Sequence, residues 1–199
     1  MHRYLLSLIM VFFMCSSYLN AEKLTLYTEE FPPFNFTKDG KVIGASTEVV
    51  RAIMRISSQD YVIKSYPWAR SFHSSQFDKN ALIYSISRRL KREHLFKWIG
   101  VIVPANQSVF ALKSRKDIVI NSLEDMKPYT IGTTLEDSRE AYLATQGFDI
   151  SSFERFGGDT AYSQLFVLLK EGRIDLWPMP NAVMSYVVSE KNEYPEQIN

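Results

Sequence analysis

The order of apolar and polar residues along the first half of the chain predicts strands and helices in alternation. Three runs have the apolar or alternating pattern that is typical of strands, namely residues 24–28, 61–66 and 82–86. Residues 47–56 place their apolar side chains on one face at helical spacing, and Ser46 or Thr47 is in position to cap that helix. Pro67 marks the start of a further short helix, because proline is favoured near a helix start.

The alternation restarts at Ile118 and predicts a second set of elements. The predicted helices are residues 123–127, a helix that ends at Gln146, 160–171 and 182–190, and the predicted strands are residues 129–132, 153–156 and 174–177. The expected helix caps are Ser122, Asp159 and Asn181, and Pro178 is expected to end the last strand. Residues 99–104 and 109–112, between the two sets, are predicted to be extended crossings.

The polar segment of residues 113–117 is the predicted boundary between two lobes. It separates a first lobe, residues 22–113, from a second lobe with a frayed tail, residues 114–199. A chain of 199 residues is long enough for one large domain or two small lobes. The sequence contains neither a long linker nor an internal repeat.

The N-terminus has the pattern of a secretory signal peptide, predicted for residues 1–21 with cleavage after Ala21. Positive charge at Arg3 precedes an apolar run that is too short to span a bilayer. A lipoprotein anchored through Cys15 is the alternative, but the residues just before Cys15 are not small. Because Cys15 is the only cysteine, the mature exported chain is expected to be soluble and without disulfides.

Candidate binding groups collect where predicted strands end. After the third strand, Ser87 is followed by a cluster of cations that includes Arg88 and Arg92, and Trp68 and Arg70 follow the second strand. Open α/β sheets bind ligands at the carboxyl ends of their strands, and the planar fork of arginine matches a carboxylate. The alternative interpretation is a solvated basic turn.

Two other segments leave their interpretation open. The proline-aromatic turn after the first strand contains Phe31 and Phe34, which either cap the core or form the wall of a ligand cleft. Hydroxyls and backbone N–H groups in residues 133–138 are suited to an anion at a helix start. Glu136 and Asp137 would repel an anion, and they also fit as first-turn residues that favour the helix dipole.

Composition and motifs argue against several function classes. A net charge of +1 gives no reason to expect a nucleic acid partner. No catalytic triad spacing, phosphate loop or metal-binding cluster is present, and His73 and His94 are interpreted as structural or exposed. The sequence therefore predicts a protein that is not an enzyme and uses neither a cofactor nor a metal.

Several segments in order carry a resemblance to a known family: YTEEFPPFNF, GKVIGASTEVVRAI, the Ser-Ile-Ser to Arg-Glu stretch, YTIGTTLEDS and EGRIDL. Over residues 24–189 the chain resembles the extracytoplasmic solute-binding proteins of family 3, the amino-acid receptors of ABC importers. The resemblance implies an α/β, two-lobed periplasmic binding protein type II-like fold. It also implies a periplasmic location, a small-molecule solute and a membrane ABC transporter permease as partner.

The resemblance also implies roles for individual residues. Ser87 and Arg92 match the hydroxyl and arginine that clamp the ligand carboxylate, Phe31 or Phe34 matches the aromatic that stacks on the ligand, and Ser138 lies near the hydroxyl of the second lobe. The family's aspartate after the last strand is missing, because residues 178–181 contain no carboxylate. A plain carboxylate or an uncharged polar solute is therefore favoured over an α-amino acid, unless Glu29, Glu30 or Asp137 supplies the negative charge.

The chain departs from the family pattern in length. It stops near the point where the family's chain returns to the first lobe, so the first lobe is expected to lack its C-terminal return segment and to have an uncovered apolar face. The alternatives to a transport receptor are a ligand-sensing module, a non-binding truncated remnant and, less favoured, a periplasmic dehydratase-like enzyme.

Overall fold

The computed structural model describes residues 23–104, 106–191 and 198. The predicted signal peptide lies outside the described residues. The strands of the described chain are β1 (Leu24–Thr28), β2 (Phe36–Lys38), β3 (Lys41–Ile43), β4 (Tyr61–Ser65), β5 (Ala81–Ile83), β6 (Gln107–Phe110), β7 (Gly132–Thr134), β8 (Glu154–Phe156) and β9 (Trp177–Pro180). Its α-helices are α1 (Ala45–Ser57), α2 (Trp68–Phe77), α3 (Ser138–Thr145), α4 (Ala161–Lys170) and α5 (Asn181–Glu190).

The first lobe is built on a parallel sheet with the strand order β4-β1-β5. The central strand β1 pairs with both neighbours, with Leu24 opposite Tyr61 and Thr25 opposite Ala81. Leu26 lies in the core with residues of α1, because an inner parallel strand is covered by the helices of its crossovers. The antiparallel hairpin β2–β3 turns at residues 39–40, as the Asp-Gly pair predicts.

Helix α1 begins at Ala45, two residues before the predicted start, and the predicted caps are wrong. Ser46 and Thr47 are buried inside the helix, and the cap position is taken by Gly44, which has no side chain to donate or accept. Gly44 has a φ of 115°, and a Cβ built there would lie 2.5 Å from the carbonyl oxygen of Phe34. Only glycine fits this approach of the helix start to the aromatic turn.

The second lobe contains a parallel pair β7–β8 and an antiparallel pair β6–β9. A bridge from Ile131 to Leu176 connects the two pairs. Helices α4 and α5 cover them, and the fully buried side chains include Leu165, Leu169 and Trp177. Strand β6 therefore pairs within the second lobe, although the predicted boundary assigned residues 107–110 to the first; the boundary itself stays a prediction.

Strand β9 corrects the prediction that the last strand ends at Pro178. It starts at Trp177 and includes both Pro178 and Pro180, which lie opposite Val109 and Gln107 of β6. An antiparallel ladder uses the N–H of every second residue, so two prolines spaced two residues apart are tolerated at a strand with one partner.

The other corrections concern helix starts and one segment. Asp159 does not cap α4, because Thr160 holds the cap position, and Pro180 rather than Asn181 precedes α5. Residues 99–104 form no strand; Ile99 and Val101 are exposed there. The outer side of α1 is also partly uncovered, since Val49, Ile53 and Ile56 are exposed.

No helix within the described ranges has both the length and the apolar character that a membrane span requires.

Candidate functional site

The proline-aromatic turn after β1 carries the first lobe into contact with the second. Phe34 is buried in the second lobe's core together with residues of α4 and α5. Phe31 stacks on Phe34 with ring centroids 5.3 Å apart and faces Tyr162 of α4 at 6.1 Å. The turn therefore fixes where the carboxyl end of β1 meets the second lobe, and a cleft lies beside it.

A cavity of about 60 Å³ occupies this cleft. Its wall includes Glu29 and Trp68 from the first lobe and Thr134, Asp159 and Tyr162 from the second. The hydroxyl oxygen of Thr134, at the end of β7, is buried and has no hydrogen-bond partner in the part of the chain that the structure describes. A buried hydroxyl without a partner is unfavourable, so this oxygen is available to a molecule in the cavity.

The adjacent carboxylates Glu29 and Glu30 both line the cavity but differ in their hydrogen bonds. Glu30 accepts hydrogen bonds from the backbone N–H and the hydroxyl of Thr37, both at 2.7 Å, and from the hydroxyl of Ser65 at 2.5 Å. The Glu29 carboxylate has no hydrogen-bond partner among the described residues. Burial raises the pKa of Glu29 to about 8, and the charge of Asp137 adds to the increase.

Two cations oppose that increase in the pKa of Glu29. Arg139 of α3 and Arg92 of the basic stretch both lower it, which places a carboxylate of the first lobe within the field of cations from both lobes. Since the pKa remains well above the ordinary value, the loss of hydration outweighs both cations.

Asp137 and Arg139 form a buried pair at the start of α3. One carboxylate oxygen of Asp137 accepts from the backbone N–H groups of Arg139 and Glu140 at 2.5 and 3.2 Å, which caps the helix. The other oxygen accepts from Nε of Arg139 at 2.7 Å and also from its Nη2. Burial lowers the pKa of Arg139, but the charge of Asp137 more than compensates, so the pKa is raised.

Arg92 lies in the cleft as a half-buried cation. Its guanidinium carbon is 4.9 Å from the ring centre of Trp68 and 5.0 Å from that of Phe72, and its Nη1 donates to the carbonyl oxygen of Ser87 at 3.2 Å. Burial lowers the pKa of Arg92, and Arg89 lowers it further. The aromatic rings thus hold the guanidinium in place without neutralising it.

Several of the predicted site residues come together. The hydroxyl of Ser87 lies 3.4 Å from the hydroxyl of Ser138, so the two predicted hydroxyls face each other from opposite lobes. Trp68 lines the cavity and also supports Arg92. The geometry places these four side chains at one cleft, while their roles in binding stay predictions.

The remaining predicted residues lie elsewhere or are already occupied. Arg88 is exposed, pairs with Glu93 through two nitrogens and lies 5.4 Å from the ring centre of Trp98. Arg70 is exposed over the ring of Tyr66 at 3.7 Å. Phe34 is part of the core. Phe31, one of the two candidates for stacking on the solute, faces side chains of the second lobe, and its role in binding stays a prediction.

Sequence reasoning identified the cleft only in part. Thr134 entered only as a hydroxyl of the segment 133–138, Glu29 only as one of several possible negative charges, and Arg139 and Tyr162 were not identified. A local signal existed for Asp137, because an aspartate before an apolar helical run is typical of a cap. Nothing local pointed to Tyr162, which reaches the cleft only through the packing of α4.

Within the described ranges, no group of three histidine, cysteine, aspartate or glutamate side chains is arranged to hold a metal ion.

Comparison with known proteins gives structural matches only. No family model matches the sequence, and no curated protein matches it. An ancestral arginine-binding protein bound to arginine superposes with a TM-score of 0.73 at 23% identity, over 89% of this chain and 77% of that one. A histidine kinase sensor domain with similarity to periplasmic binding proteins gives a TM-score of 0.73 at 18% identity, over 89% and 75%.

A third match is the arginine-, lysine-, histidine-binding protein ArtJ of the thermophilic bacterium Geobacillus stearothermophilus. Its TM-score is 0.71 at 20% identity, over 89% of this chain and 78% of that one. The fold is that of the periplasmic binding proteins. The predicted α/β, two-lobed fold class is thereby confirmed, whereas identities this low leave the solute open.

Proposed function

We propose that this chain is an extracytoplasmic solute-binding protein that closes its two lobes on a small polar solute. The observation that carries the proposal is the Thr134 hydroxyl, which is buried at the wall of the cavity between the lobes and has no partner within the described ranges. A solute that bonds this oxygen gains the hydrogen bond that the closed protein lacks. Hinge closure around a ligand is a common motion of two-lobed α/β proteins.

The volume and charge of the cleft support a solute of a few non-hydrogen atoms that carries a cationic group. A cavity of about 60 Å³ holds roughly four to six water-sized volumes. The Glu29 carboxylate has no hydrogen-bond partner among the residues that the structure describes, and an ammonium beside it favours its ionised form. Arg92, held over Trp68 at the same cleft, is suited to an anionic end. A small amino acid combines both groups, with Glu29 supplying the negative charge that residues 178–181 do not.

A binding role is favoured over catalysis because the structural matches are binding proteins and a sensor domain. The ABC permease partner and the periplasmic location remain part of the proposal. A ligand-sensing module is the second candidate, and the match to a histidine kinase sensor domain favours it.

Calorimetry and thermal shift of the mature chain test the proposal. A panel of small amino acids, amines and carboxylates is expected to contain a compound that raises the melting temperature in a saturable way. Thr134→Val is expected to weaken that compound at least about tenfold, the effect of one hydrogen bond of about 1.4 kcal/mol. Thr134→Ser, which keeps the hydroxyl, is the control. If no compound binds, or if the valine variant binds like wild type, the proposal is wrong.

A further inference from the structure

The space beside the cavity is filled by one of the protein's own arginines. The guanidinium carbon of Arg139 lies 5.9 Å from the ring centre of Phe31 and 6.0 Å from that of Tyr162. Only 11% of the Arg139 side chain is exposed, and only 6% of the Asp137 side chain that it pairs with. Phe31 belongs to the first lobe and the other three residues to the second, so this guanidinium lies where the lobes meet.

The contacts of Arg139 are those of a bound ligand. Aromatic rings from both lobes face the cation, a buried carboxylate accepts two of its N–H groups, and Nη2 donates to the Tyr162 hydroxyl at 3.3 Å. Aromatic faces and a carboxylate are groups by which proteins recognise guanidinium compounds. Here one oxygen of Asp137 accepts both N–H groups. Tyr162 also forms part of the cavity wall. The arginine therefore occupies the aromatic end of the cleft, and a solute is left with the other end.

The capping of α3 does not require this arrangement. The Asp137 oxygen that caps the helix bonds backbone N–H groups only. A second arginine shows what structural pairing alone looks like: Arg155 bonds Glu140 through two nitrogens, both at 2.7 Å, with 31% of its side chain exposed. Both arginines pair with a buried carboxylate at the start of α3, either Asp137 or Glu140. Of the two arginines, only Arg139 lies against rings of both lobes.

We propose that Arg139 determines the specificity of the cleft by acting as a built-in guanidinium ligand against the rings of Phe31 and Tyr162. It excludes solutes with long or bulky side chains from the aromatic end and restricts binding to the cavity beside Glu29 and Thr134. The part of the inference that concerns solute selection rests on the proposed function. The occupancy of the aromatic end by a guanidinium is testable without knowing the natural solute.

Arg139→Ala removes the guanidinium and leaves Asp137, Phe31 and Tyr162 in place. We expect this variant to bind methylguanidinium in place of the lost arginine side chain. Thermal shift and calorimetry should show saturable stabilisation at about millimolar methylguanidinium. Wild type is expected to bind it at least about tenfold more weakly, because its own arginine holds the position. Sodium chloride and tetramethylammonium chloride at equal ionic strength separate this binding from general salt effects.

Arg155→Ala is the matched control, since it also leaves a buried carboxylate unpaired but outside the cleft. Equal stabilisation of both alanine variants, or of wild type and Arg139→Ala, would overturn the proposal. If Arg139→Ala folds only when methylguanidinium is present, the proposal is supported. If it folds neither with nor without the probe while Arg155→Ala folds, the guanidinium is not replaceable and the proposal is wrong.

The outcome is separable from that of the solute screen. Rescue of Arg139→Ala by methylguanidinium, combined with no bound compound for wild type, would support the built-in ligand and reject the solute-binding function. If wild type binds a compound and methylguanidinium does not rescue Arg139→Ala, the solute-binding function is supported and the built-in ligand is rejected.

Discussion

Replacing Glu29 with glutamine is expected to stabilise the protein at neutral and alkaline pH and to have little effect in acid. The carboxylate lies partly buried on the cavity wall where the lobes meet, without a hydrogen-bond partner among the described residues, whereas a glutamine there carries no charge to desolvate. Asp137, Arg139, Arg92 and Glu30 are the charged groups whose fields act on it, and all remain in the variant.

The size of the effect follows from the pKa of Glu29, which is raised from 4.5 to about 8 by burial. A raised pKa of an acid means that the folded state holds its proton more tightly, so stability is fully present below pH 4.5 and is lost as the pH rises towards 8. At about 1.4 kcal/mol per unit, the wild type loses roughly 3 kcal/mol by pH 7 and roughly 5 kcal/mol above pH 8.

Urea unfolding of both proteins at a series of pH values between 4 and 9 measures this difference. The free energy of unfolding of Glu29→Gln minus that of wild type should be small near pH 4 and rise to roughly 3 kcal/mol at pH 7. Glu30→Gln is the control: its carboxylate has three hydrogen bonds, so the variant should lose stability instead of gaining it. A difference for Glu29→Gln that stays constant from pH 5 to pH 8 would refute the reasoning.

Three further outcomes are expected. Arg92→Ala should weaken the binding of a carboxylate solute at least about tenfold, while Arg88→Ala, at an exposed position, should change that affinity by a few-fold at most. Calorimetry measures both affinities, and equal effects would count against Arg92. Gly44→Ala should lower the free energy of unfolding by about 2–3 kcal/mol. Gly40→Ala should lower it by about 1 kcal/mol, because Gly40 has a φ of 72° but open space around it. Equal losses would contradict the close approach at Gly44. Binding of a cationic solute should release protons at pH 7, because the bound cation makes Glu29 ionise. Binding heats measured in two buffers report this release, and Glu29→Gln should abolish it.

The elements that sequence reasoning predicted well are those defined by local pattern. Residues 61–66 became β4, ending one residue early, and the helix expected after Pro67 is α2 with proline at its cap. The first strand matches its prediction at both ends. The failures occur where tertiary contact decides: Gly44 replaces Ser46 as the cap because the aromatic turn approaches too closely for a side chain.

The candidate site also contains residues that sequence pattern predicts and residues that only tertiary packing brings together. Ser87 and Arg92 became candidates because they follow a predicted strand and match the family's carboxylate clamp, and neither argument needs knowledge of packing. Their approach to Ser138, 51 residues further along the chain from Ser87, depends on how the lobes meet. The burial of Glu29 and the placement of Arg139 against Phe31 depend on it entirely, so no local pattern predicted them.

The charge balance in the cleft links the proposed solute to the built-in arginine. Asp137 neutralises Arg139, while Arg92, Glu29 and the carboxylates of Glu30 and Asp159 on the cavity wall remain. With its pKa near 8, Glu29 is mostly protonated at pH 7, so it does not neutralise Arg92. An anionic group is then favoured at Arg92, and a cationic group is favoured only if it makes Glu29 ionise. A zwitterion satisfies both conditions at once, whereas guanidinium compounds compete for the position that Arg139 already holds.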